Sequence, residues 1–146
     1  MSVLLGQGEF KYRVVEDWAK LPENWSFMDV AGVAVNSKDE VHVFNRGRHP
    51  MIIFDIDGNY LRSWGENLFS RPHGIHIGPD DYIYCTDDGD HTVKKIAPDG
   101  KLIFKIGVPG NPSEFMSNLP FHRCTHTALC PDNNIFVSDG YGNACV

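Results

Sequence analysis

Two stretches of this chain carry the same pattern, 42 positions apart and without a gap. The first opens with Gly32-Val33-Ala34-Val35 and the second with Gly74-Ile75-His76-Ile77. The residues that stay in register are Asp39/Asp81, Gly47/Gly89, His49/His91, Asp57/Asp99, Gly58/Gly100 and Gly65/Gly107. A period near 40 residues with four short apolar runs is typical of a β-propeller blade. The pattern therefore predicts an all-β protein, a β-propeller of four-stranded blades.

Each copy is predicted to hold four strands separated by turns rich in Pro, Asp and Gly. In the first copy the strands are 32–35, 41–45, 51–56 and 60–65, and in the second they are 74–77, 82–87, 93–97 and 102–107. A third copy begins with apolar runs at 127–130 and 135–139, and the sequence given ends before a third strand. We therefore expect two full blades and part of a third.

Repeat units bury their faces against their neighbours, so a partial propeller leaves an open side. This predicts that the chain is the N-terminal portion of a longer protein, with a lead-in segment at 1–29 and a partial propeller domain at 30–146. The alternative is a half-propeller that closes by self-association with a second copy through its open blade edge.

The lead-in contains Asp17-Trp18-Ala19-Lys20-Leu21-Pro22, which is either a strand that helps to close the ring or a short packed segment ended by proline. Packing is the favoured role for Trp18 and Trp25, over stacking on a ligand. The stretch 108–123 is longer than its counterpart 66–71. It is either a loop that lines a binding site or a surface insertion.

Composition bounds the partners. The formal net charge of −6 is spread through turns without a basic stripe, which argues against nucleic acid as a partner. No apolar run reaches membrane-spanning length and no secretory leader is recognised, so we expect no membrane partner and a cytoplasmic protein. This composition is compatible with a small-molecule or peptide substrate.

The four cysteines are Cys85, Cys124, Cys130 and Cys145; they lack CxxC spacing and are predicted to be free thiols. Four positions on a strand span about 13 Å at about 3.3 Å per residue, so His126 and Cys130 cannot share one metal ion. His122, Cys124 and His126 could share a face only if all three lie on the strand.

The candidate functional residues lie at strand ends, where the copies differ. Arg46 aligns with Asp88, Tyr141 aligns with Gly89, and His73 comes directly before an innermost strand. A repeat scaffold needs similar residues at equivalent positions, so unlike residues there are candidates for function. Each also has a structural explanation, namely an ion pair, a hairpin cap or a histidine bonded to the backbone.

Three motifs in their order carry a family resemblance. They are Phe44-Asn45-Arg46-Gly47, then Asn67-Leu68-Phe69 followed by Pro72-His73-Gly74, then Phe136-Val137-Ser138-Asp139-Gly140-Tyr141. With blades that look like NHL repeats, the chain from about residue 30 onward resembles the peptidyl-α-hydroxyglycine α-amidating lyases and their bacterial relatives. The resemblance implies a propeller that has six blades when complete, and cleavage of a peptidyl-α-hydroxyglycine to a peptide amide and glyoxylate.

The resemblance also implies site residues and metals. His73 matches the first of three zinc histidines, Arg46 the active-site arginine and Tyr141 the proposed base. Val33 and Ile75 match positions whose carbonyls bind calcium. A tyrosine, with an ordinary pKa of about 10, acts as a base near neutral pH only beside positive charge.

The chain departs from the family pattern in several places. The other two zinc histidines belong to later blades, so the zinc site is incomplete and we expect no turnover by this segment alone. Gly142 stands where animal lyases carry a disulfide-bonded cysteine, which suits a reducing compartment and a bacterial-type relative. Cys124 and Cys145 also replace residues common in relatives. The alternative function is a non-catalytic propeller that binds a protein or another ligand.

Overall fold

The computed structural model describes residues 3–132 and 134–146, and the regular elements in these ranges are all strands. A hairpin of β1 (Leu4–Gln7) and β2 (Phe10–Arg13) comes first. Blade 1 consists of β3 (Val30–Val35), β4 (Val41–Asn45), β5 (Met51–Phe54) and β6 (Tyr60–Trp64). Blade 2 consists of β7 (Pro72–Ile77), β8 (Ile83–Asp87), β9 (Thr92–Ile96) and β10 (Leu102–Ile106). Blade 3 begins with β11 (His126–Leu129) and β12 (Ile135–Ser138).

The first two blades are four-stranded antiparallel sheets in which each strand pairs with the next one along the chain. The observed bounds differ from the predicted ones by at most two residues. The last turn of each blade needs a glycine in the left-handed region, with φ of 78° at Gly58 and 89° at Gly100. The predicted fold, a partial β-propeller with two full blades and part of a third, is confirmed.

The first strands of the three blades lie side by side, since β7 contacts both β3 and β11. The strands that begin the blades therefore line the inner side of the arc. Apolar residues of adjoining sheets fill the space between blades. The cluster between blades 1 and 2 includes Phe44, Met51, Ile53, Ile75 and Ile83, and the one between blades 2 and 3 includes Val93, Phe121, Cys124 and Val137.

The lead-in covers the face of blade 1 that points away from blade 2. Val43, Ile52 and Phe54 form that face, and Trp18, Ala19, Leu21, Trp25 and Phe27 pack against it. The Trp18 indole N–H donates to the Ile56 carbonyl at 3.1 Å, and the Lys20 amide donates to the Gly58 carbonyl at 2.9 Å. The packing role of Trp18 and Trp25 is confirmed. The alternative prediction, that 17–22 is a strand that helps to close the ring, is wrong. This segment forms turns and a bridge from Lys20 to Asn59.

The stretch 108–123 is held against blades 2 and 3. Phe121 is buried in the cluster between them, and the Met116 amide donates to the Asn143 carbonyl at 3.2 Å. This stretch is therefore a packed connection.

Among the residues that the structure describes, none belongs to a helix of the length and apolar character that a membrane crossing requires.

Candidate active site

Three equivalent side chains fix the loops that lead into the inner strands. Asn45, Asp87 and Asp139 follow or end the second strand of their blades and accept hydrogen bonds from backbone amides. The amides belong to Met28, Ser70 and His122, at 3.5, 2.7 and 2.9 Å. Polar side chains that bond loop amides in this way hold a loop in one conformation. We call this end of the blades, where β3, β7 and β11 begin and β4, β8 and β12 end, the rim. The bonds to the loop amides hold the rim residues in place.

Blade 2 strengthens its loop with a buried ion pair. The Lys94 ammonium lies 3.1 Å from Asp87 Oδ2 and 2.9 Å from Asp90 Oδ2, and the Lys94 side chain is only 3% exposed. Burial alone raises the pKa of Asp87, but Lys94 and the amides of Arg71 and Ser70 outweigh it and lower that pKa below its ordinary value. Asp87 is therefore ionised at neutral pH.

His73 and Tyr141, 68 residues apart in sequence, are brought together at the rim. His73 Nε2 lies 3.4 Å from the Tyr141 hydroxyl oxygen, and the rings meet edge to face with 5.6 Å between centroids. His73 Nδ1 lies 2.9 Å from the Thr125 carbonyl oxygen, to which it donates when protonated at that nitrogen. This bond fixes the ring and leaves Nε2 directed at Tyr141.

Arg46 lies beside the same strand. Its Nε donates to the Pro72 carbonyl at 3.1 Å, one residue before His73, and its Nη1 is 3.8 Å from Asp29 Oδ2. The Arg46 side chain is about three-quarters buried, whereas the Asp29 side chain is largely exposed. Arg46, His73 and Tyr141 are thus all placed at the rim, with Arg46 attached to the backbone that carries His73.

Sequence reasoning missed three charged residues here, namely Arg71, Asp88 and Arg123. Arg71 Nη1 and Arg123 Nη2 lie 3.0 and 3.1 Å from the same atom, Asp88 Oδ2. The guanidinium carbon of Arg123 is also 5.0 Å from the centre of the Tyr141 ring, a cation–π contact. A signal was present, because Arg71 and Arg123 hold equivalent positions and Asp88 aligns with Arg46.

The two positions expected to give calcium ligands lie on adjacent inner strands. Val33 is in β3 and pairs with Val43, and Ile75 is in β7 and pairs with Cys85. Gly32 brings the two strands close, since a Cβ at this position would lie 2.9 Å from the Ile75 side chain. Calcium binding by these carbonyls stays a prediction.

Two further histidines, His76 and His126, lie on the neighbouring inner strands β7 and β11, with 6.3 Å between their ring centroids. Burial lowers the pKa of His126, and the nearby His76 and His73 lower it further. Across residues 3–132 and 134–146, no three His, Cys, Asp or Glu side chains are grouped so that they could hold a metal ion.

The cluster from His122 to Cys130 is divided among different environments. Strand β11 begins at His126, so His122 and Cys124 do not lie on it. The Cys124 thiol is buried and donates to the Thr92 carbonyl at 3.4 Å. The His122 ring fills the space beside Gly142, where a Cβ would overlap it. Glycine is therefore the residue that fits at position 142.

No protein-family model matches the chain. Curated proteins do match it. Peptidyl-α-hydroxyglycine α-amidating lyase 1 of Drosophila melanogaster is 36% identical over 90 residues, which are 60% of this chain and 16% of that protein. Peptidylglycine α-amidating monooxygenase of Rattus norvegicus is 30% identical over 144 residues, 79% of this chain and 14% of that protein. The homologues of this chain are therefore peptide-amidating enzymes.

Lyase 2 of Drosophila melanogaster is 26% identical over 157 residues, and the match takes in 90% of this chain and 38% of that protein. The chain thus spans between 14% and 38% of the length of these three relatives. Among solved structures, a eukaryotic initiation factor superposes with a TM-score of 0.54 at 17% identity, over 93% of this chain and 33% of that one. At this identity the likeness concerns the fold alone.

Proposed function

We propose that the protein containing this chain is a lyase that cleaves a peptidyl-α-hydroxyglycine, or a similar hemiaminal, to an amide and glyoxylate. The names of the relatives support the reaction class. The observation that carries the proposal for this chain is the contact of 3.4 Å between His73 Nε2 and the Tyr141 hydroxyl oxygen. It joins two candidate residues, from different blades, that the sequence motifs assign to one site.

The rim suits one part of a zinc site. A metal-ligating histidine commonly bonds a backbone carbonyl through its second nitrogen, and His73 does so with Thr125 at 2.9 Å. His73 would be one ligand, and further histidines from blades beyond Val146 would complete the set. Zinc in such a site supplies Lewis acidity toward a hydroxyl oxygen. Calcium held by the carbonyls of Val33 and Ile75 is part of the same proposal.

The chain's own residues would move the proton. Tyr141, as its phenolate, would accept the proton of the substrate hydroxyl, because Tyr141 is exposed at the rim and its hydroxyl oxygen lies beside His73. The O–H electron pair forms the aldehyde C=O as the C–N bond breaks, and the amide nitrogen takes up the proton. Arg46, fixed on the Pro72 carbonyl, would stabilise negative charge on the departing carbonyl compound.

The remaining features of the whole protein follow from the same resemblance. We propose NHL-type blades, a ring of six when complete, a bacterial-type relative and a reducing cytoplasmic location. Free thiols at Cys85, Cys124, Cys130 and Cys145 are compatible with that location.

Glyoxylate release from an N-acyl-α-hydroxyglycine by a protein that extends past Val146 tests the function. We expect Tyr141→Phe to lower kcat/KM at least about hundredfold, since a general base contributes about 10² to 10⁴. His73→Ala should cause a loss of at least that size, because it removes one of the proposed zinc ligands. Tyr12→Phe is the matched control, because Tyr12 is exposed on the β1–β2 hairpin. Release no faster than the spontaneous reaction would reject the proposal. Turnover by the 146-residue segment alone would contradict our account of the incomplete metal site.

A further inference from the structure

Two guanidinium groups converge on one carboxylate oxygen at the rim. Arg71 Nη1 and Arg123 Nη2 lie 3.0 and 3.1 Å from Asp88 Oδ2. The two arginines are 52 positions apart and enter the rim from loops before β7 and β11. Two positive charges so close to each other repel, and the carboxylate that they share compensates one of them. The neighbouring carboxylates, Asp87 and Asp90, are both paired with Lys94.

The positive charges face solvent while the negative charges are buried. The side chains of Arg71 and Arg123 are 45% and 41% exposed, and that of Asp88 is fully buried. The neighbouring carboxylate, Asp87, is also buried and is bonded to Lys94 and to backbone amides. The exposed carboxylate of this region, Asp29, lies next to Arg46. A ligand approaching between Arg71 and Arg123 therefore meets positive charge.

Most of the hydrogen-bonding capacity of these arginines is unused. A guanidinium has five N–H donors arranged in a planar fork that matches a carboxylate. Among the described residues, each of the two side chains makes one hydrogen bond, to Asp88. The Arg123 guanidinium also lies 5.0 Å from the Tyr141 ring centre. A carboxylate bonded to these donors would lie next to the candidate base.

We infer that Arg71 and Arg123 form a binding site for a small monocarboxylate, with Asp88 as the residue that positions both guanidinium groups. The identity of the ligand rests on the proposed function, because an N-acyl-α-hydroxyglycine and glyoxylate both end in a carboxylate. The site would select ligands with a free carboxylate over their neutral amides and would hold that end beside Tyr141.

An NMR titration of the full chain in the presence of a metal chelator tests the site apart from any metal. The probes are N-acetylglycine and its neutral analogue N-acetylglycinamide. We expect N-acetylglycine to bind at least about tenfold more tightly, since hydrogen bonds between a guanidinium and an ionised carboxylate are stronger than those to a neutral amide. Arg71→Gln and Arg123→Gln should each weaken N-acetylglycine binding about tenfold and leave the binding of the amide unchanged.

Arg48→Gln is the matched control, since Arg48 is an exposed arginine of the loop after Arg46 and should leave binding unchanged. Arg123→Lys keeps the charge without the fork and should give intermediate affinity, and its spectrum checks that the fold persists. Equal binding of both probes, or unchanged binding by both Gln variants, overturns the inference. If the extended protein releases no glyoxylate but the arginines still select the carboxylate, the proposed function fails and this site stands.

Discussion

Blades 1 and 2 have the same four-stranded fold, but they stabilise the equivalent loop with side chains of different charge. Where blade 1 has Asn45 and Ile52, blade 2 has the buried pair Asp87 and Lys94. At the next position blade 1 has Arg46, which faces Asp29, and blade 2 has Asp88, which faces Arg71. The signs of the two pairs are reversed at equivalent positions. The comparison teaches that the scaffold fixes where a rim charge stands and leaves its sign free.

The largest effect is expected from converting the blade 2 pair to that of blade 1. Lys94→Ile alone leaves Asp87 buried without its ammonium and should cost about 3 to 5 kcal/mol of unfolding free energy. Adding Asp87→Asn should recover most of that loss, because Asn45 serves the same loop in blade 1 by bonding the His49 carbonyl at 2.9 Å. Urea unfolding measures both.

Lys101→Ile, at an exposed position of the β9–β10 turn, is the control for this pair and should change stability little. A double variant that is no more stable than Lys94→Ile would show that the two blades are not interchangeable at this loop.

A second difference between the blades concerns acid. Blade 1 buries His42, whereas blade 2 has Tyr84 at the equivalent position. Burial, and then the Arg62 guanidinium, lowers the pKa of His42 to about 4. Since the unfolded histidine takes up a proton near pH 6.5, stability should fall as the pH drops from about 6.5 to 4, by about 2 to 3 kcal/mol.

The variant His42→Leu should lose much less stability between pH 6.5 and 4.5, keeping only the smaller loss that comes from His126, whose pKa is also lowered by burial. Below that, the bond from Arg62 to Glu40, which lowers the pKa of Glu40 to about 2, still gives a loss of stability from about pH 4.5 downward. Unfolding free energies of the parent and the variant at several pH values measure this. Parallel curves over the upper range would refute the assignment to His42.

The smallest effect is expected at the reversed rim pairs. Asp88→Asn removes the one carboxylate shared by Arg71 and Arg123, which can then turn to solvent, so the cost should be about 1 to 2 kcal/mol. Asp29→Asn breaks a pair of 3.8 Å at an exposed carboxylate and should cost less than about 0.5 kcal/mol. Thermal unfolding of both variants gives the order. Equal losses would mean that burial of Asp88 adds nothing.

The fold could be predicted from the sequence because the repeat occurs twice without a gap, and Pro, Asp and Gly residues indicate the turns between strands. The joint location of His73, Tyr141 and Arg46 at the rim was also within reach, because motif order places each at the same end of a blade. The carboxylate that Arg71 and Arg123 share was missed, although the two arginines hold equivalent positions before β7 and β11. It depends on two loops of different length meeting in space, and the longer loop before β11 hides the equivalence of the two arginines in a gapless alignment.

The lead-in, which covers one apolar face of blade 1, is synthesised before the strands of that blade. Translation proceeds from the N-terminus, so Trp18 and Trp25 leave the ribosome ahead of the apolar strands β4 and β5 that they cover. Blade 1 can thus cover the apolar face that points away from blade 2 as soon as its own strands are made. Blade 2 can then pack against the other face of a blade 1 that is already folded. This order exposes less apolar surface during synthesis, and so less surface on which the nascent chain could aggregate.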